Sequence, residues 1–135
     1  MIVLDVSAAV AMARGTEEGM ALRSLLLQDE AVIAPRLFLT EMANVAWQYA
    51  RAGQLSEEDS LALFQLCSDI VDNFAEVESL LVEAIHEAIR NNHPVYDMLY
   101  LVLARRNAAT LFTFDKKLRT VCRANGVGCV ELERL

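Results

Sequence analysis

Cysteine is scarce in this chain and histidine scarcer. Cys67, Cys122 and Cys129 are odd in number, far apart and without a C-x-x-C pair, and neither histidine lies near enough to complete a zinc motif. They read as reduced, mostly buried thiols. Long apolar runs are also missing: no segment reaches the length of a membrane span, and MIVLD carries no basic region ahead of an apolar stretch. A cytoplasmic protein without a membrane partner is the expectation. Basic residues are the minority, 12 Lys and Arg against 19 Asp and Glu for a net charge of −7, which argues against a surface that binds nucleic acid simply by being basic. An anionic substrate would need local help. What is abundant is apolar: 55% of 135 residues is ample for one core, and no linker, repeat or low-complexity segment divides residues 1–135.

Short β-branched runs alternate with longer helical patterns, the signature of a parallel sheet covered by helices. IVLDV (2–6) reads as a first strand, apolar enough to be buried on both faces. Thr16, followed by Glu17 and Glu18, caps a helix to about Gln28; AVIA (31–34) is strand two, and Pro35 opens a helix that Gly53 stops. Ser56 with Asp59 is a capping box for the helix through LALFQLCSDIV, FAEVE (74–78) a weak third strand, and Ser79 a cap for LLVEAIHEAIR. Pro94 opens the next helix, TLFTF (110–114) is strand four, a helix runs from Asp115 to about Ala124, and VGCVEL closes with a short strand. The expected architecture is α/β: a twisted parallel sheet of four to five strands with helices on both faces.

Such sheets bind ligands outside the carboxyl ends of their strands. Asp5 ends strand one within an apolar run, Asp115 ends strand four, and Glu41 lies early in the helix after strand two. Asp97 is less determined, because its helix starts at that edge only if a preceding strand ends nearby. Singly, each acid has a structural reading as a cap, a first-turn charge or a solvated residue. Asp97 resists it most, since Met98 to Leu103 are apolar on every face and a charge on a buried helix needs a partner. Four carboxylates converging with no basic residue adjacent in sequence would repel strongly, so something cationic belongs among them. All-oxygen ligands suit Mg²⁺ or Mn²⁺, with Ca²⁺ open on ligand type alone. Such an ion can also attract a phosphodiester to an acidic protein.

Other chemistries fit poorly. A haloacid-dehalogenase-type phosphatase needs a second aspartate where Ser7 stands, and a response-regulator receiver needs an accepting aspartate that FAEVES lacks. DVSAAV has no glycine for a dinucleotide turn, and there is no G-x-S-x-G elbow. His86 reads as a surface or partly buried structural residue, and His93, though close to Asp97, as a loop residue rather than one that touches substrate.

IVLDVSA, LTEMANVAW, VYDMLYLVLARR and LFTFDKKL together resemble the PIN domains, and within them the VapC-type ribonuclease toxins of toxin–antitoxin pairs, over nearly the whole chain. The resemblance implies that Asp5, Glu41, Asp97 and Asp115 are an acidic quartet holding Mg²⁺ or Mn²⁺ for hydrolysis of RNA. Asp5 and Asp97 are then the firmest ligands, Asp115 completes the site or binds through water, and Glu41 binds a second ion or orients the water. Ser7 and Thr113 match hydroxyl positions beside the acids; Asn44, one helical turn past Glu41 and followed by Gln48, would orient Glu41 or touch RNA. Arg14, Arg36 and Lys116, with Lys117 and Arg119, are candidates for gripping RNA phosphates. The apolar surface around Trp47, Tyr49, Leu61 and Phe64 suits a protein partner. The resemblance further implies a homodimer and a small antitoxin that inserts an arginine among the acids. A housekeeping RNA-processing nuclease and a catalytically silent binding module remain as alternatives.

Overall fold

The computed structural model describes residues 1–26 and 29–130. β1 (Ile2–Leu4) is buried at every position. The strand expected through Val6 stops there because Asp5 is an N-cap: its side chain accepts from the Ala8 N–H and starts α1 (Val6–Arg14), a helix the sequence pattern did not announce. Gly15, in the left-handed region at φ 68°, closes α1 by donating to the carbonyls of Ala11 and Met12. Thr16 caps α2 (Glu17–Ser24) as expected; Gln28, its expected end, lies outside the described residues.

β2 (Val32–Pro35) includes the proline expected to open a helix, because Pro35 is paired with Ala75 in the sheet. α3 (Leu37–Arg51) therefore begins later, and α4 (Glu57–Ile70) follows with Ser56 accepting from the Asp59 N–H. β3 (Asn73–Ala75) is short and only partly buried. Ser79 caps nothing: it sits inside a 3₁₀ turn (Glu78–Leu80) that feeds straight into α5 (Leu81–Asn91). α6 (Val95–Arg106) starts after Pro94 as expected and is buried all round from Met98 to Ala104. β4 (Thr110–Phe112) ends two residues earlier than expected, and Asp115 caps α7 (Lys116–Ala124). Of the final strand, the described residues carry one parallel bridge, Cys129 to Leu111; Glu131 and Leu132 lie beyond them.

All strand pairings are parallel, in the order β3-β2-β1-β4. The chain thus winds outward from β1 to β3 and returns to lay β4 on the other side of β1. The reversal opens a crevice at the carboxyl ends of β1 and β4, where open α/β sheets take ligands. Strand alternation divides the core in two. Val3, Ile33 and Leu111 meet α5, α6 and α7; Ile2, Leu4, Val32, Ala34 and Phe112 meet α1 to α4. Among the described residues no helix is long and apolar enough to cross a membrane.

Candidate active site

Asp5 and Asp115 leave neighbouring strands and flank the crevice. Asp5 is buried, at 8% exposure, and reaches this position because β1 ends on it rather than running past it. Its Oδ1 accepts from the Ser7 hydroxyl at 2.7 Å and the Ala8 N–H at 3.0 Å, and its Oδ2 accepts from the Thr113 hydroxyl. Both hydroxyls work twice: the Phe114 N–H donates to Ser7 Oγ and the Asp115 N–H to Thr113 Oγ1, each at 3.0 Å. Ser7 and Thr113 therefore lace the end of β1 to the end of β4. Asp115 is exposed, and its Oδ1 caps α7 by accepting from the N–H groups of Lys117 and Leu118.

Glu41 and Asp97 arrive on helices from opposite faces of the sheet. Glu41 Oε1 accepts from the hydroxyl of Tyr100, a core residue of α6, at 2.7 Å. Asp97 starts α6 at the carboxyl edge because that helix must run back along the sheet to reach β4. Its Oδ2 lies 2.7 Å from Nε2 of His93, and since an ionised carboxylate only accepts, that nitrogen carries the proton. Each acid is thus held by a specific donor. Tyr100 and His93 were not among the residues expected to support the site, although both stand one helical turn from Asp97 or span Pro94 to it, a spacing visible in HPVYDMLY.

Three of the acids act on one another electrostatically. Burial lifts the Asp5 carboxyl to about 6, against the pull of the Thr113, Ala8 and Ser7 bonds, and the charge of Asp97 adds to the rise. Burial also raises Glu41, opposed by the Tyr100 bond and reinforced by Asp97 and Asp5. The Tyr100 phenol is pushed far upward by burial and by Glu41, Asp5 and Asp97, so it remains a donor. No Lys or Arg forms an ion pair with Asp5, Glu41, Asp97 or Asp115 among the described residues.

This donor set fits a hard divalent cation: oxygen only, anionic, and oriented by outer hydrogen bonds. Among the described residues no three acids, histidines or cysteines converge closely enough to form a ready cage.

The remaining candidates are placed as follows. Asn44 and Gln48 are exposed on α3, Arg36 is exposed at the end of β2, and Lys116 is exposed beside Asp115. Arg14 stands at the far end of α1, about 13 Å along the helix from Asp5, where its guanidinium covers the Tyr49 ring at 4.7 Å. Trp47, Leu61 and Phe64 line an apolar groove of about 350 Å³ between α3 and α4. His86 is exposed, and Cys67 and Cys122 are buried free thiols.

Known proteins share this fold. Residues 2–124 match the PIN domain. Ribonuclease VapC3 of Pyrobaculum aerophilum is 28% identical over 122 residues, spanning 87% of this chain and 91% of that protein. The crystal structure of PAE2754 from Pyrobaculum aerophilum superposes with a TM-score of 0.73 at 20% identity, covering 95% of this chain and 87% of that one. VapBC-1 from nontypeable Haemophilus influenzae superposes at 0.67 with 17% identity, covering 97% and 98%.

Proposed function

The chain belongs to the PIN-domain family, and from that premise we propose that it is a Mg²⁺- or Mn²⁺-dependent endoribonuclease, the toxin of a toxin–antitoxin pair. The observation that carries the reading is a set of separately clamped carboxylates, Asp5, Glu41 and Asp97 with Asp115 at the end of β4, none of them paired with a Lys or Arg among the described residues. The similarity to Ribonuclease VapC3 points the chemistry toward RNA.

Asp5 and Asp97 would hold the ion most directly, with Asp115 and Glu41 completing the site directly or through water. When bound, a divalent ion polarises a phosphodiester and neutralises charge developing on its oxygens. The protein supplies the rest. Ser7 and Thr113 keep the Asp5 carboxylate fixed between the strand ends, and His93 does the same for Asp97. Glu41 keeps Oε2 for the attacking water and accepts its proton as the water oxygen bonds to phosphorus in line with the leaving oxygen, which takes a proton from solvent. Arg36 and Lys116, exposed at the carboxyl edge, are placed to position RNA phosphates, with Asn44 and Gln48 extending the polar face of α3. Arg14, packed on Tyr49 away from the acids, is less well placed for that role.

Protein partners are a small antitoxin and a second copy of the chain. The α3/α4 groove and the exposed apolar stripe Val82, Ile85 and Ile89 on α5 support this, since contiguous apolar surface marks interaction sites. An antitoxin arginine among the acids would neutralise them as a metal ion does. The test is cleavage of a cellular RNA pool by purified protein with Mg²⁺ or Mn²⁺, beside EDTA and Asp97→Asn. Discrete metal-dependent products lost in the variant are expected; no cleavage, or equal cleavage by the variant, refutes the nuclease.

A further inference from the structure

We propose that Tyr100 is a positioning residue of this site: its phenol holds Glu41 so that Oε2 serves the ion and the attacking water, and it sets the spacing between the acids of α3 and α6. The inference rests on the nuclease reading above.

Tyr100 is 2% exposed and packed in the core formed with α5, α6 and α7. Its ring has few rotamers to choose from, so its hydroxyl is a fixed post. Glu41 is on α3, which packs on the opposite face, and the 2.7 Å bond between them joins residues 59 apart in sequence across the carboxyl edge of the sheet. Tyr100 also stands three residues after Asp97 on α6, so one helix carries both an acid of the cluster and the clamp for another. Asp97 and Asp115 are oriented locally, by His93 four residues earlier and by the start of α7, and Asp5 by Ser7 and Ala8 nearby and by Thr113 from the adjoining strand end. Glu41 has the longest side chain of the four and would otherwise be the least determined. A buried phenol needs an acceptor in any case. Its acceptor is a carboxylate that feels the charges of Asp97 and Asp5, which a purely structural tyrosine does not require.

The experiment compares wild type, Tyr100→Phe, Glu41→Gln and the double variant. It reads Mn²⁺ affinity by calorimetry, kcat and KM on an RNA that the wild type cleaves, and thermal stability. Tyr100→Phe preserves the ring and the packing, and is expected to lose roughly 10- to 100-fold in Mn²⁺ affinity or kcat, as removal of outer-shell partners does, with KM for RNA unchanged. Added to Glu41→Gln it is expected to cost less than about 2-fold more, because its effect passes through Glu41. Glu41→Asp leaves the core intact while withdrawing the carboxylate from the phenol, and is expected to show a comparable loss. A Tyr100→Phe protein that binds Mn²⁺ and turns over like wild type overturns the proposal, as do a loss confined to thermal stability and losses that multiply in the double variant. A wild type that neither binds Mn²⁺ nor cleaves RNA removes the nuclease reading itself, and the proposal with it.

Discussion

Replacing Asp5 by asparagine is expected to stabilise the metal-free protein while abolishing cleavage. Burial lifts the Asp5 carboxyl from 3.8 to about 6, so between those values the folded chain binds a proton that the unfolded chain has released. Asp5's contribution to stability is therefore fully present below pH 3.8 and is lost as pH rises through about 6. The gap of roughly two pK units corresponds to about 3 kcal/mol missing at pH 7.5. Asparagine carries no charge to desolvate. Its carbonyl keeps the Ser7 and Ala8 bonds, but its amide faces Thr113, whose hydroxyl must turn from donor to acceptor, a loss of about 1 kcal/mol. The net gain is about 2 kcal/mol, or roughly 6–10 °C in Tm for a chain of this size. Denaturation in EDTA at pH 7.5 and 4.5 tests this, the advantage shrinking to near zero at the lower pH. Mn²⁺ at pH 7.5 should narrow or reverse the gap by binding only the wild type. A variant less stable than wild type at pH 7.5 in EDTA, or a gap indifferent to pH, would refute the reasoning.

Asp115→Asn should keep α7 capped and Asp115→Ala should not, so denaturation separates them by about 1 kcal/mol while RNA cleavage falls in both. Gly19→Ala should destabilise by about 2 kcal/mol or more, read from urea unfolding, because a Cβ there overlaps the backbone carbonyl of Ala11 where α2 rests on α1. Glu87, buried on α5, accepts from Arg90, Arg105 and Asn91. Glu87→Ala should lower unfolding free energy by about 2 kcal/mol and leave Mn²⁺ affinity unchanged.

Most elements were legible because their determinants are local. Thr16, Ser56 and Asp115 cap the helices that follow them, and the apolar runs at 31–34 and 110–114 mark strands found, with shifted ends, at Val32–Pro35 and Thr110–Phe112. The errors came where a residue serves two purposes. Asp5 ends a strand and caps a helix, so the apolar run through Val6 concealed the start of α1. Pro35 is a favourable helix opener, yet its pairing with Ala75 keeps it in β2. Ser79 has the chemistry of a cap, but the 3₁₀ turn runs through it.

The sequence by itself determined the fold class, the places where strands give way to acids, and the excess of negative charge, since periodicity, capping and composition act over a few residues. Only the tertiary structure decided that Asp97 and Glu41 stand with Asp5, and that Thr113 and Tyr100 hold those acids across 108 and 59 residues of chain. The physical reason is sheet order: laying β4 beside β1 joins the ends of the two strands, and packing α3 and α6 on opposite faces lets Tyr100 reach Glu41 across the sheet edge.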